Sequence, residues 1–171
     1  MASHDELFNY SKEVLRAEIE AFNETERKAG QYFTVFGFLL SVSGVIIGVT
    51  WNRFIPPHAR LETILFLLGV LIAVSLLITG FFIFKALRIA SLNIPPLNSE
   101  MIEYFKGNNE KDIHEELSVK MSNAVGHNRE VVKRKTASLR VGYLWMIMTA
   151  SVLAMFGIIL VAEKWHSAIV K

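Results

Sequence analysis

Five histidines, a scatter of carboxylates and three groups of cations are the residues of this 171-residue chain with types suited to chemistry. Their spacing decides which chemistry is open to them. His4, His58, His114, His127 and His166 are not paired at i, i+3 or i+4 with another ligand type in a recognisable metal pattern. His114-Glu115-Glu116 lacks the second histidine that a zinc-binding HExxH helix needs. There is no cysteine, which excludes disulfides and thiolate metal sites. No phosphate-cradling glycine loop is present either, because Gly30, Gly37 and Gly44 lie in an apolar stretch and not in a strand-to-helix turn. Neither an enzyme, nor a bound metal, nor a cofactor is expected.

The cations are more informative. Arg27 and Lys28, Lys85 and Arg88, and the series Arg129, Lys133, Arg134, Lys135 and Arg140 each adjoin a long charge-free stretch. Clusters placed in this way meet anionic lipid headgroups in many membrane proteins. The other reading is an anion site, such as a nucleotide phosphate held between helices, with Arg27, Lys28, Arg88, Lys133, Arg134 and Lys135 as its candidate ligand-binding residues.

The elements that carry these groups follow from where charge is missing. The sequence is 52% apolar, yet its formal charges avoid the windows 31–51, 63–84 and 141–162. Each window has about 21 or 22 residues, enough to cross a hydrocarbon core of roughly 30 Å as a helix. A soluble domain would scatter charge along every element. The expected fold is therefore an all-α integral membrane protein with three transmembrane helices and a cytoplasmic helical extension. Charge-free spans also argue against a pump or proton relay. A cleavable signal peptide is not expected, because about 28 residues of mixed charge with an acidic excess precede the first window. Residues 1–28 and 85–140 together hold 14 Lys/Arg, against four in 52–62 and the tail from Glu163. The positive-inside rule then places the N-terminus in the cytoplasm and the C-terminus outside.

In chain order, Ser3 to Glu6 reads as a capping box that opens a helix. Residues 5–29 contain no glycine or proline, and Leu7, Val14, Ala17 and Ala21, flanked by Phe8, Leu15, Ile19 and Phe22, form a wide apolar stripe suited to a partner helix. With no breaker before Gly30, this helix is expected to run into the first span. Arg53, Pro56, Pro57 and Arg60 make a short outer turn, so the first two spans are antiparallel neighbours. The second helix is expected to reach about Ser91, before Pro95-Pro96 stops it. A short helix over 99–106 follows, then a break at Gly107-Asn108-Asn109. A long helix from Glu110 should enter the third span near Arg140, its weak apolar face interrupted by Gly126 and His127-Asn128. Trp51, Tyr143, Trp145 and Trp165 fall at the expected interfaces. The divisions are 1–28, a cytoplasmic helix; 29–92, a transmembrane hairpin; 93–140, a cytoplasmic helical segment; 141–163, the third span; and 164–171, a short outer tail. The helices 1–28 and 110–140 both run towards the membrane, so they are expected to lie side by side in parallel.

Gly37, Ser41, Gly44 and Gly48 share one face of the first span. Small residues of this kind let helices approach in lipid, where the hydrophobic effect does not drive them together. The face serves either a homo-oligomer or pore, or packing against the chain's own second or third span.

At Glu26, Lys28, Ala29 and Gly30, just before the first span, the sequence resembles the transmembrane effector family of Pycsar antiphage systems, where the acidic position is more often Asp. Glu116, Asn123, Lys135 and Leu139 in the later helix continue the likeness. The resemblance implies a prokaryotic inner-membrane effector, encoded beside a nucleotide cyclase. Such an effector responds to a cyclic nucleotide second messenger, forms a homo-oligomer and disrupts the membrane of an infected cell. Its partners would be the lipid bilayer, further copies of itself, and the nucleotide or a cytoplasmic partner protein; no nucleic acid is expected. Two other classes stand beside it: a non-catalytic membrane adaptor or scaffold that holds a cytoplasmic partner, and a small constitutive channel.

Overall fold

The computed structural model describes residues 4–54, 60–88, 92–95 and 99–169. Among the described residues there are four helices: α1 (His4–Phe54), α2 (Arg60–Leu87), α3 (Ser99–Gly107) and α4 (Glu110–Ile169). α1 passes from its charged half into its apolar half without a break, and α4 does the same. Glycine does not stop α1 at Gly30, Gly37, Gly44 or Gly48, because lipid offers no partner to a freed backbone group and the helix satisfies all of them internally. Thr34 and Ser41 donate their hydroxyls back to the carbonyls of Gly30 and Gly37 (3.2 and 2.9 Å), which hides those polar groups as well.

α4 begins at Glu110, where the Ile113 amide donates to the Asn109 carbonyl (3.1 Å). α2 stops earlier than its composition suggests, at Leu87, with Arg88 already in a bend. Ser3 of the expected capping box, the turn at Pro56-Pro57, Ser91 and Pro96 lie outside the described residues.

The chain divides into two compact units. The first comprises Met1–Lys28 and Arg88–Thr136. Its core is Leu15, Met121 and Ala124, with Phe8, Ile19, Leu117 and Val125 packed around them. Cross-helix pairs fix the direction of its long helices: Asp5 with His114, Glu18 with Arg129 and Glu26 with Lys135 are separated by 109, 111 and 109 positions. A nearly constant difference means two parallel helices in one register.

The second unit, Ala29–Leu87 and Ala137–Lys171, is a three-helix bundle. Its core includes Phe36, Leu39, Leu65, Ile72, Ile83, Met146 and Phe156. Phe33 meets Phe84 and Phe36 meets Gly80, so residue numbers rise on α1 as they fall on α2. Gly142 beside Ile83 and Thr149 beside Ser75 show the same antiparallel relation between α2 and α4. The outward faces are apolar, with Phe38, Val45, Val49, Leu77 and Ile158 all well exposed. An aqueous surface would not leave such a belt uncovered, whereas lipid tails cover it. Among the described residues three helices are long and apolar enough to span, within Asp5–Thr50, Leu61–Leu87 and Glu110–Glu163. The molecule is thus an all-helical, multi-pass membrane protein candidate with three spans.

The contacts that draw the spans together are not those of the Gly37 stripe. A Cβ on Gly37, Gly44 or Gly48 would have nothing within 4 Å. The close approaches are at Gly80, where a Cβ would lie 3.0 Å from the Phe36 ring, and at Gly142, where it would lie 3.3 Å from Ile83. Ser75 and Thr149 add a buried interhelical hydroxyl pair at 3.0 Å, of the kind that contributes about 0.6 kcal/mol in a membrane bundle.

Candidate functional site

Along α4, His114, Leu117, Met121, Ala124, Asn128, Val131 and Lys135 follow a three-four alternation, and along α1 so do Phe8, Ser11, Leu15, Glu18, Phe22 and Thr25. This is the spacing that keeps one seam facing a partner helix. The seam is unusual in how many of its positions are polar, and Glu18, Thr25, His114, Asn128 and Lys135 each have a partner of their own.

At one end, His114 stacks on Phe8 (centroids 4.5 Å apart, planes within 5°) while its Nδ1 lies 2.8 Å from Asp5. Further along, Arg129 donates to Glu18 through Nε and Nη2 (2.9 and 2.8 Å). Asn128 is fully buried. Its Oδ1 accepts from the Asn93 amide (2.8 Å) and its Nδ2 donates to the Asn93 carbonyl (3.0 Å). The residue that interrupts the apolar pattern is therefore the anchor for the segment 92–95.

The last polar layer is Lys135. It is only 6% exposed, its ammonium is ion-paired to Glu26, and it lies 4.6 Å from the centre of the Phe22 ring. Burial pushes the Lys135 pKa below the usual lysine range, because the charged form loses water. The Glu26 carboxylate and the Phe22 π-face are what the ammonium receives in return. Beside them Thr25, also buried, donates to the Ala21 carbonyl (2.8 Å).

The other candidate cations have exposed side chains. Arg27 and Lys28 each sit 3.8 Å from Glu24, and Arg134 lies 2.6 Å from Glu130. Exposed pairs of this kind contribute little, so these side chains are available to an anion at small cost. Lys133 and Arg88 are exposed as well. Lys135 is thus set apart from its neighbours in the sequence run by burial. Sequence reasoning grouped it by charge and overlooked that the three-four count turns it inward with Asn128 and His114.

A second polar contact ties α3 to α4. Tyr104 donates its hydroxyl to Glu116, which also accepts from Lys120 (2.7 Å). Hydrogen bonding to Glu116 is the main cause that pushes the Tyr104 pKa up to about 12, and the same two partners lower that of Glu116. A phenol pKa raised above its unfolded value stabilises this contact below about pH 10, and the contribution is lost as pH climbs through 12. In a tyrosinate absorbance titration, one tyrosine should titrate near 12, and Glu116→Gln should return it towards 10. An unchanged curve in that variant would show that the contact does not hold α3.

Residues named in the family resemblance meet in pairs: Glu26 with Lys135, and Ala29 with Leu139 in a small buried cluster that also holds Ala86. Asn123 is exposed on α4. No family model, curated protein or solved structure matches this chain.

Proposed function

We propose that this protein is a non-catalytic membrane effector of the Pycsar type. In this reading it acts in prokaryotic antiphage defence: it senses a nucleotide signal or a protein partner through its charged helices, oligomerises, and perturbs the integrity of the inner membrane. The observation that carries the reading is the Glu26–Lys135 pair. It joins the two separate stretches of sequence on which the resemblance rests, and it does so inside a seam whose polar layers make it poor as a permanent glue. A purely structural helix pair of this length gains more from apolar residues at those positions, since a buried ion pair seldom outperforms a packed hydrophobic one. A switch needs two arrangements of similar free energy that bind the signal differently. A seam of paired charges meets that need, because an anionic ligand competes with Glu26 for cations that the helices already supply.

α1 and α4 each contribute residues to both units. The open face of Gly37, Ser41, Gly44 and Gly48 is the surface on which further copies would pack. The test is dye release from liposomes that contain the purified chain, titrated with cyclic nucleotides. Release that depends on ligand and is lost in Lys135→Met supports the effector. Release without any ligand identifies a constitutive channel. Intact liposomes at every concentration, with insertion verified and a cytoplasmic protein copurifying, identify an adaptor.

A further inference from the structure

The second unit carries an apolar groove of about 810 Å³ between α1 and α2. Its wall on α1 runs from Phe33 past Gly37 and Gly44 to Ile47, and on α2 from Ala73 to Phe84. Ser43 is the only polar side chain among the lining residues. At 1.5 Å per residue the α1 wall is about 21 Å long, more than the roughly 15 Å depth of one leaflet. The groove stays open because Gly37 and Gly44 bring no side chain into it, and nothing within 4 Å stands where their Cβ atoms would be.

One end of this trough differs from the rest. Lys85 stands one helical turn beyond Phe81 on the same row of α2, exposed, in the last turn of the helix. On the opposite wall, one turn beyond Phe33, is Gly30, exposed and without a neighbour within 4 Å of its Cβ position. An apolar trough about as long as an acyl chain thus ends at a cation, with open space across from it. A second helix would fill the trough as well, but its last carbonyls offer a cation only about half a negative charge, whereas a phosphate offers a full one. A phospholipid uses both features.

We propose that this groove is a binding site for one anionic glycerophospholipid, its acyl chain along Gly37 and Gly44 and its phosphate on Lys85. The site requires only that the helices cross a membrane, and it stands whether or not the protein is an effector. Lipid bound there occupies part of the face that a second copy would need, so the two compete.

The probe is phosphatidylglycerol against phosphatidylcholine, offered in equal amounts to the full-length chain in detergent, with retained lipid counted by native mass spectrometry. One lysine at the headgroup level should favour phosphatidylglycerol roughly fivefold, and Lys85→Gln should abolish that preference. As an independent measurement, tryptophan is introduced at Leu40 in the groove or at the lipid-facing Leu71, with Trp51, Trp145 and Trp165 changed to phenylalanine. Brominated phosphatidylglycerol should quench the groove tryptophan more than brominated phosphatidylcholine does, and should show no preference at position 71. Equal retention of the two lipids, a preference that survives Lys85→Gln, or equal quenching at both positions would overturn the proposal. So would a groove tryptophan shielded from every lipid in an oligomer, which would assign the groove to a second copy.

Discussion

Glu26→Ala should be the most damaging single substitution in the α1–α4 seam, costing about 3 kcal/mol, the lower end of the range for breaking a buried ion pair. The cost comes from what is left behind. Lys135 is buried against Phe22, and without Glu26 its ammonium has neither water nor a carboxylate. The reverse change is gentler. Glu26 keeps about a third of its side chain in solvent, so in Lys135→Met it turns to water while the methionine packs on the Phe22 ring, at a cost near or below about 1 kcal/mol. The double variant removes the stranded charge and should recover most of the loss. Thermal unfolding of the three variants in one detergent gives the coupling energy directly. Strictly additive effects would mean that the pair contributes no coupling and would remove the main support for the proposed switch.

The second large effect is expected at Gly142→Leu. A Cβ there lies 3.3 Å from the Ile83 side chain and 3.7 Å from its backbone nitrogen, so a leucine must push α4 away from α2. Overpacking of this kind costs about 1–3 kcal/mol, and it also separates the Thr149 and Ser75 hydroxyls. Gly48→Leu is the contrast. Among the described residues nothing lies within 4 Å of a Cβ at that position, so its effect on the stability of a single copy should stay within about 0.5 kcal/mol. Unfolding temperature combined with cross-linking separates the two cases. A loss of oligomer in Gly48→Leu with unchanged unfolding would mark contact between copies. An oligomer that persists would exclude this face from self-association.

The architecture was largely legible because its signals are collective. Charge-free windows long enough to span, a breaker-free lead into the first of them and the break at 107–109 all act over many residues, and the helices α1, α3 and α4 follow them. α2 shows the limit. Nothing in its composition marks Leu87 as its end, since Ala86, Leu87 and Arg88 all favour helix. The candidate site was less legible. Charge pointed to Lys135 along with its neighbours, but its burial depends on which face α4 turns to α1, and that is fixed by the pairing of two segments far apart in sequence. Asn128 looked like a flaw in an apolar stripe because its partner is the backbone of Asn93, which no side-chain pattern reveals. The glycines illustrate the same point. A Cβ on the conspicuous glycines of the first span would meet nothing within 4 Å, while the isolated Gly142 governs a helix contact.

The separation of about 109 positions between partners in the α1–α4 seam also sets an order of events during synthesis. The charged half of α1 leaves the ribosome before either the hairpin or α4 exists, and at translation rates of about 5–20 residues per second it waits roughly 5–20 s for its partner. A fully apolar seam would spend that interval seeking any other greasy surface. With Ser11, Glu18 and Thr25 among its seam positions, the nascent helix is wettable on the very side that later closes, so the chain reaches the membrane before its parallel helices commit to each other.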